Sequence, residues 1–318
     1  MLDHILLPLD GSSLSECVLP HAAAMAQAMD AKITLLQVVD QQGGQGKPGA
    51  VDPLNWHIHK SEIEAYLSEI AGRLGVLDLP TEKVILEGKP SQRIIDYAQE
   101  KGVDLIILSS HGRSGLSQWN ISSVVQKVIL GSYITTMIVR AFQTGQQEIG
   151  DLSYQRLLLP LDGSQRAESV LSWARNMTDF YQCQLILAHV VNRPEVPRQV
   201  PLTEEEQELV SRLTELNKAK GKEYLENLKS RMAAGAETRL RVNDNPAAEL
   251  HRVVKQEQVD LVLMTAHGYS GETRWPYGGV VLNFIAYGST PLLIYQDVSP
   301  EEAHQTEAQK AAREQKGH

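Results

Sequence analysis

The sequence predicts a tandem of two doubly wound α/β domains, each built on a five-stranded parallel sheet. Three observations carry this: the chain repeats itself, short apolar runs alternate with helix-period segments, and each repeat places small-residue loops behind two of its strands. "HILLPLDGS" (His4 to Ser12) returns as "RLLLPLDGS" (Arg156 to Ser164), 152 residues on. "VDLIILSSHGRSG" (Val103 to Gly115) returns as "VDLVLMTAHGYSG" (Val259 to Gly271) at a shift of 156, and "GKPSQRIIDYA" pairs with "DNPAAELHRVV" at the same shift. The order is preserved and the unit is far longer than a solenoid repeat.

In the first unit, "HILLPL" is too short for a helix and unbroken by polar residues, as a buried parallel strand requires. A helix follows, with Leu14, Cys17, Val18, Ala22, Met25, Ala26 and Met29 on one face. Ser12 or Ser13 is its expected N-cap, and Pro20 is awkward inside it. "KITLLQVV" is the second strand, "KSEIEAYLSEIAGRL" a helix and "EKVILEG" the third strand. "SQRIIDYAQEKG" is a helix closed by Gly102, "VDLIILSS" the fourth strand, "SSVVQKVILG" a helix and "TTMIVRAF" the fifth strand. The second unit repeats this with "RLLLPL", "QLILAHVV", "ETRLRV", "VDLVLMTA" and "PLLIYQDV" as strands. Its second helix is longer and highly charged, and the run Glu204 to Lys229 reads as a solvated helix face. Strand–helix alternation with right-handed crossovers gives a parallel sheet in each unit. Ligands in such sheets sit at the carboxyl ends of strands, so "PLDGS" and "SSHG" share one rim.

The 318 residues suffice for two domains. The expected boundaries are 1–145 and 154–298, with a polar linker near Gln143 to Tyr154 and a polar tail, 299–318, expected to be disordered. An apolar share of 42% and a charged share of 22% match a globular chain. The net charge of −9 argues against nucleic acid or an anionic membrane as partner. No run approaches the roughly 18 apolar residues of a membrane span. "MLDHILLPLDG" lacks a basic n-region and a long h-region, so no signal peptide is expected and the cytoplasm is the expected location. Cys17 and Cys183 lie far apart, each in an apolar helical pattern, which fits a reducing compartment.

Several motif matches fall on context. "GQGKPG" (Gly44 to Gly49) matches G-x-G-x-x-G, but Pro48 and Pro53 oppose the helix such a turn must open, so it reads as a flexible loop. "GRSG" and "GYSG" are one residue short of a nucleophile elbow, and no Ser/His/acid set accompanies them; no catalytic residue is assigned. His57 and His59 lack companion ligands, so no metal site is expected.

Asp10 and Asp162 follow a strand and precede a helix. Each reads either as a helix N-terminal acid or as an acceptor for a nucleoside's hydroxyls or amino group. Gly112 and Gly268 permit close backbone approach or positive φ. Small hydroxyl residues at a helix start can present donors to an anion, while Ser122 and Ser123 read equally as caps. His111 and His267 read as turn-holders, with no nucleophile or base beside them.

These residues resemble the universal stress protein family in its tandem two-domain form. The resemblance covers Met1 to about Val298 and rests on "PLDGS", the helix starts at Pro90 and Pro246, "VDLIIL"/"VDLVLM" and the "HG-x-SG" loop. It implies strand order 3-2-1-4-5 and pairing of the two domains through their fifth strands, here within one chain; a homodimer is a further expectation. It also implies a stress-response binding or regulatory protein with adenine-nucleotide sites, for ATP or AMP, with magnesium if ATP. Weak ATP hydrolysis is the most such a protein would catalyse. The alternative is a non-nucleotide scaffold or small-molecule module acting through protein partners. ATP-binding members carry G-x-x-G-(nine residues)-G-S/T. The corresponding positions are Ser109, Gly112, Ser122 and Ser123 in the first unit, and Thr265, Gly268, Gly278 and Gly279 in the second. By analogy Pro8, Asp10, Val38 and Leu108 would line base and ribose in the first unit, and Pro160, Asp162, Val190 and Met264 in the second. Arg113 and Arg274 would reach phosphates. If the loop holds the substituted positions at positive φ, serine there costs energy.

Overall fold

The computed structural model describes residues 2–40, 53–112, 121–141, 148–194, 203–232, 235–269 and 276–298; "GQGKPG", Arg113, Arg274 and the tail lie outside that set. The first half runs β1 (His4–Pro8), a 3-10 turn (Ser15–Cys17), α1 (Val18–Met29), β2 (Lys32–Val39), α2 (Pro53–Gly75), β3 (Thr81–Glu87), α3 (Pro90–Glu100), β4 (Leu105–Ser109), α4 (Ser123–Ser132) and β5 (Thr135–Val139). The second runs β6 (Arg156–Leu161), α5 (Leu171–Tyr181), β7 (Gln184–Val191), α6 (Glu204–Arg231), β8 (Glu237–Val242), α7 (Pro246–Gln256), β9 (Leu261–Thr265), α8 (Gly279–Tyr287) and β10 (Leu292–Tyr295).

All ten strands form one sheet, ordered β3-β2-β1-β4-β5-β10-β9-β6-β7-β8. Each half therefore has the expected order 3-2-1-4-5. Pairing within a half is parallel, and the halves join antiparallel where β5 meets β10, with Met137 opposite Leu293. The central strands are apolar on both faces because helices cover both. Ile5 and Leu7 of β1 point into one core with α1, α2, α5 and α6; Leu6 points into the other with α3, α4, α7 and α8. The edge strands β3 and β8 are only partly buried, and there charged residues such as Lys83, Arg239 and Arg241 enter the pattern.

Local signals place most boundaries. Pro90 and Pro246 each occupy the first turn of their helix, where a missing N–H costs nothing. Thr203 and Glu206 form a reciprocal capping box at the start of α6. Helix starts differ most from expectation: α2 begins at Pro53, seven residues before the expected Lys60. The first helix begins at Val18, after the 3-10 turn, and neither Ser12 nor Ser13 caps it. Ser12 Oγ instead accepts from Ser15 N at 3.2 Å. The delay puts Pro20 in the first turn of α1, where it is tolerated. Cys183 also lies just before β7 rather than within a helix.

The halves are held by more than strand pairing. Tyr181 Oη donates to Ala24 O (2.7 Å) and Tyr277 Oη to Ile129 O (2.9 Å). His21 and Tyr154 form a buried hydrogen bond of 2.8 Å. Arg140 donates to the carbonyls of Phe284 (2.9 Å) and Ile285 (2.7 Å), near the end of α8. Among the described residues no helix is long and apolar enough to cross a membrane.

Candidate functional site: the rim at β1/β4 and β6/β9

The rim of each half is built around one aspartate. Asp10 Oδ1 accepts from Ser12 N (3.0 Å) and Ser12 Oγ (2.5 Å); Asp162 Oδ1 accepts from Ser164 N (3.0 Å) and Ser164 Oγ (2.6 Å). Each "PLDGS" turn is thus tied by its own aspartate, as short acceptor side chains do in turns. The second carboxylate oxygen reaches across to the loop after β4 or β9. A Cβ added at Gly112 would lie 2.0 Å from Asp10 Oδ2, and one at Gly268 would lie 2.0 Å from Asp162 Oδ2. Neither glycine has positive φ, so close approach is what the position requires. Asp162 Oδ2 also accepts from Tyr269 N at 2.5 Å. The aspartate therefore clips the two rim loops together.

The substituted motif positions behave differently from one another. Ser109 is buried, and its hydroxyl points to Leu14 O (2.8 Å) and His111 O (2.7 Å); Thr265 donates to His267 O (2.9 Å). Thr265 turns into its own loop, while Ser109 reaches both its own loop and the one after β1. Ser122 has φ −63° and ψ 155°, and Gly278 has φ −70° and ψ 162°. The backbone is the same in both halves, and serine there carries no strain. The expected cost at positive φ does not arise. Ser122 is the N-cap of α4, its Oγ accepting from Val125 N at 3.3 Å, and exposed Ser123 opens the helix. Gly278 offers α8 no side-chain cap, and a Cβ at Gly279 would meet nothing within 4 Å.

His111 and His267 are both buried. His111 Nδ1 lies 3.1 Å from Ser110 Oγ, and His267 Nδ1 lies 2.8 Å from Asp297 Oδ1. Burial, then the positive charge of Arg140, pulls His111 below the ordinary histidine range. Both histidines hold their turns.

In the second half the rim surrounds a cavity of about 970 Å³. Pro160, Asp162, Val190, Met264, Thr265, Gly268, Gly278 and Gly279 all line it. In the first half Leu108 and Ser109 are buried, while Pro8, Asp10, Val38, Gly112 and Ser122 are half-buried. Sequence reasoning missed the wall supplied by α6: Asn217, Lys220, Gly221 and Tyr224. The charged run hid them, although Tyr224 keeps the spacing of Leu225 and Leu228 on the inner face. His189 also lines the cavity; its Nδ1 donates to Leu161 O (2.8 Å), and its ring meets Tyr224 edge-on at 6.1 Å. Among the described residues no group of three or more His, Cys, Asp or Glu is placed to hold a metal ion.

Two doubly wound halves in one ten-stranded sheet, each with an aspartate-clipped rim at the carboxyl ends of its strands, define a tandem α/β protein. A sequence model of the universal stress protein family matches residues 1–140 and again 153–296, and the chain belongs to that family. Universal stress protein MJ0531 of Methanocaldococcus jannaschii is 28% identical over 138 residues, which is 43% of this chain and 81% of that protein. Universal stress protein YxiE of Bacillus subtilis is 29% identical over 151 residues, covering 44% of this chain and 100% of its own. Each relative thus corresponds in length to one half. A solved universal stress protein from Archaeoglobus fulgidus superposes on the whole chain with a TM-score of 0.66, covering 94% of this chain and 100% of its own at 16% identity; this concerns the fold.

Proposed function

We propose that this protein is a stress-response binding protein whose second half takes an adenine nucleotide, ATP or AMP. The observation that carries the reading is the cavity of about 970 Å³, which ends at the uncapped start of α8. A helix start without a side-chain cap leaves N–H donors for an anion, and the macrodipole favours negative charge there. Lys220 on the opposite wall adds a cation, and Pro160, Val190 and Met264 supply apolar surface for a base. In the first half Ser122 Oγ already occupies the place of an anion at the start of α4, so that rim is the weaker site. One solved universal stress protein is in complex with cAMP, which is a property of that protein.

A magnesium ion accompanying ATP would ride on the phosphates, because Asp162 is already engaged by Ser164 and Tyr269. No catalytic role is assigned to any group in the cavity. Titration calorimetry of the full chain with ATP and AMP tests the reading. One equivalent is expected to bind. Gly279→Asp, which adds a carboxylate in open space at the helix start, is expected to abolish binding without unfolding the chain. No heat at millimolar ATP or AMP would sink the reading in favour of a scaffold role.

A further inference from the structure

The N-terminal half of α6 presents a row of leucines that stay largely exposed among the described residues. Across Glu204–Arg231 the buried positions are Gly221, Leu225 and Leu228, all in the second half of the helix. Leu209, Leu213 and Leu216 are 58%, 39% and 50% exposed. Spacing of four and then three residues puts them on one helical stripe. The capping box at Thr203 holds these first turns helical. A solvated face alone would not need three leucines in register.

Charge identifies the occupant. Glu204, Glu205, Glu206 and Glu208 lie at one end of the stripe, and Lys218, Lys220 and Lys222 at the other. Leu213 is midway between the blocks. Glu208 and Lys218 are equidistant from Leu213, as are Glu204 and Lys222, while Lys220 lines the cavity. Antiparallel pairing of two such helices about Leu213 sets acid against lysine at both ends and opposes the two helix dipoles. Parallel pairing would set like against like. We infer that α6 is a self-association helix. Two copies of this chain pack their Leu209–Leu213–Leu216 stripes antiparallel, with a two-fold axis at Leu213. The contact is small, so the dimer is concentration-dependent and weakened by salt.

Sedimentation velocity of the full chain over a concentration series tests this. The wild type is expected to shift from monomer to dimer as concentration rises. Leu213→Glu is expected to remain monomeric with little change in melting temperature, and Leu209→Glu, at the most exposed leucine of the stripe (58%), to do the same. Leu213→Cys is expected to form a covalent dimer on mild oxidation, whereas Val76→Cys, at a site 83% exposed elsewhere, does not. Three results would each overturn the proposal. The wild type could stay monomeric throughout, its dimer could survive Leu213→Glu, or the chain could dimerise only after deletion of residues 299–318, which would make the tail the occupant. Nucleotide binding is read separately, so its failure leaves this test intact.

Discussion

Gly112 and Gly268 show what one missing side chain does. Each sits against an aspartate oxygen, and any Cβ would force the carboxylate to swing away from its turn. Gly268→Ala is therefore expected to break the bonds from Ser164 and Tyr269 to Asp162. Bonds to a charged acceptor are worth roughly 1.5–3 kcal/mol, so a loss of about 2 kcal/mol is expected in urea denaturation. Ligand binding should weaken with it. The sequence offered both glycines as positions of close approach or positive φ, but the partner was hidden, because Asp162 is 106 residues away in the chain. The serines were harder still. Whether serine at 122 strains the loop depends on φ, and only the folded loop shows it to be −63°. Ser122→Ala is expected to cost about 1 kcal/mol through the lost cap, measured by thermal unfolding.

At the scale of elements, the central strands were legible because each is a short, mostly apolar run and the edge strands because they repeat in register with them; "QLILAHVV" and "ETRLRV" coincide with β7 and β8 to the residue. The start of α1 was not legible, since the 3-10 turn before it satisfies the same apolar face as a helix would. The end of α8 was invisible for another reason: its support comes from Arg140 in the other half. Burial draws this guanidinium down to about 10, which still leaves it charged at neutral pH. Arg140→Met should keep the packing but strip the carbonyls of Phe284 and Ile285 of a charged donor. A loss of about 3 kcal/mol is expected in denaturant titration, with faster hydrogen exchange at the end of α8.

At the scale of the whole molecule, β5 and β10 make the two halves one sheet, so they are expected to unfold together. Calorimetry should give one transition with equal calorimetric and van't Hoff enthalpies; two transitions would show the halves to be independent. The interface also carries a pH dependence. Desolvation lowers His21 to about 4, well under its unfolded value near 6.5. The folded state therefore holds His21 neutral while the unfolded state takes up the proton. This contribution is complete above pH 6.5 and is lost as pH falls from 6.5 to 4, by at most about 1.4 kcal/mol per pH unit. His21→Gln should flatten the stability slope in that window, measured by urea denaturation at each pH.

The sequence by itself determined the duplication, the strand–helix alternation and the pair of rims, because apolar period and repeated turns are local and survive in one dimension; the strand order came from the family resemblance. The family resemblance added the list of rim residues. Tertiary structure alone decided how those residues face one another: which aspartate oxygen meets which glycine, that Ser122 closes its helix while Gly278 leaves its own open, and that α6 walls a cavity with one face and bares leucines on another. Those outcomes turn on backbone angles and on contacts between residues a hundred positions apart, which no local pattern encodes.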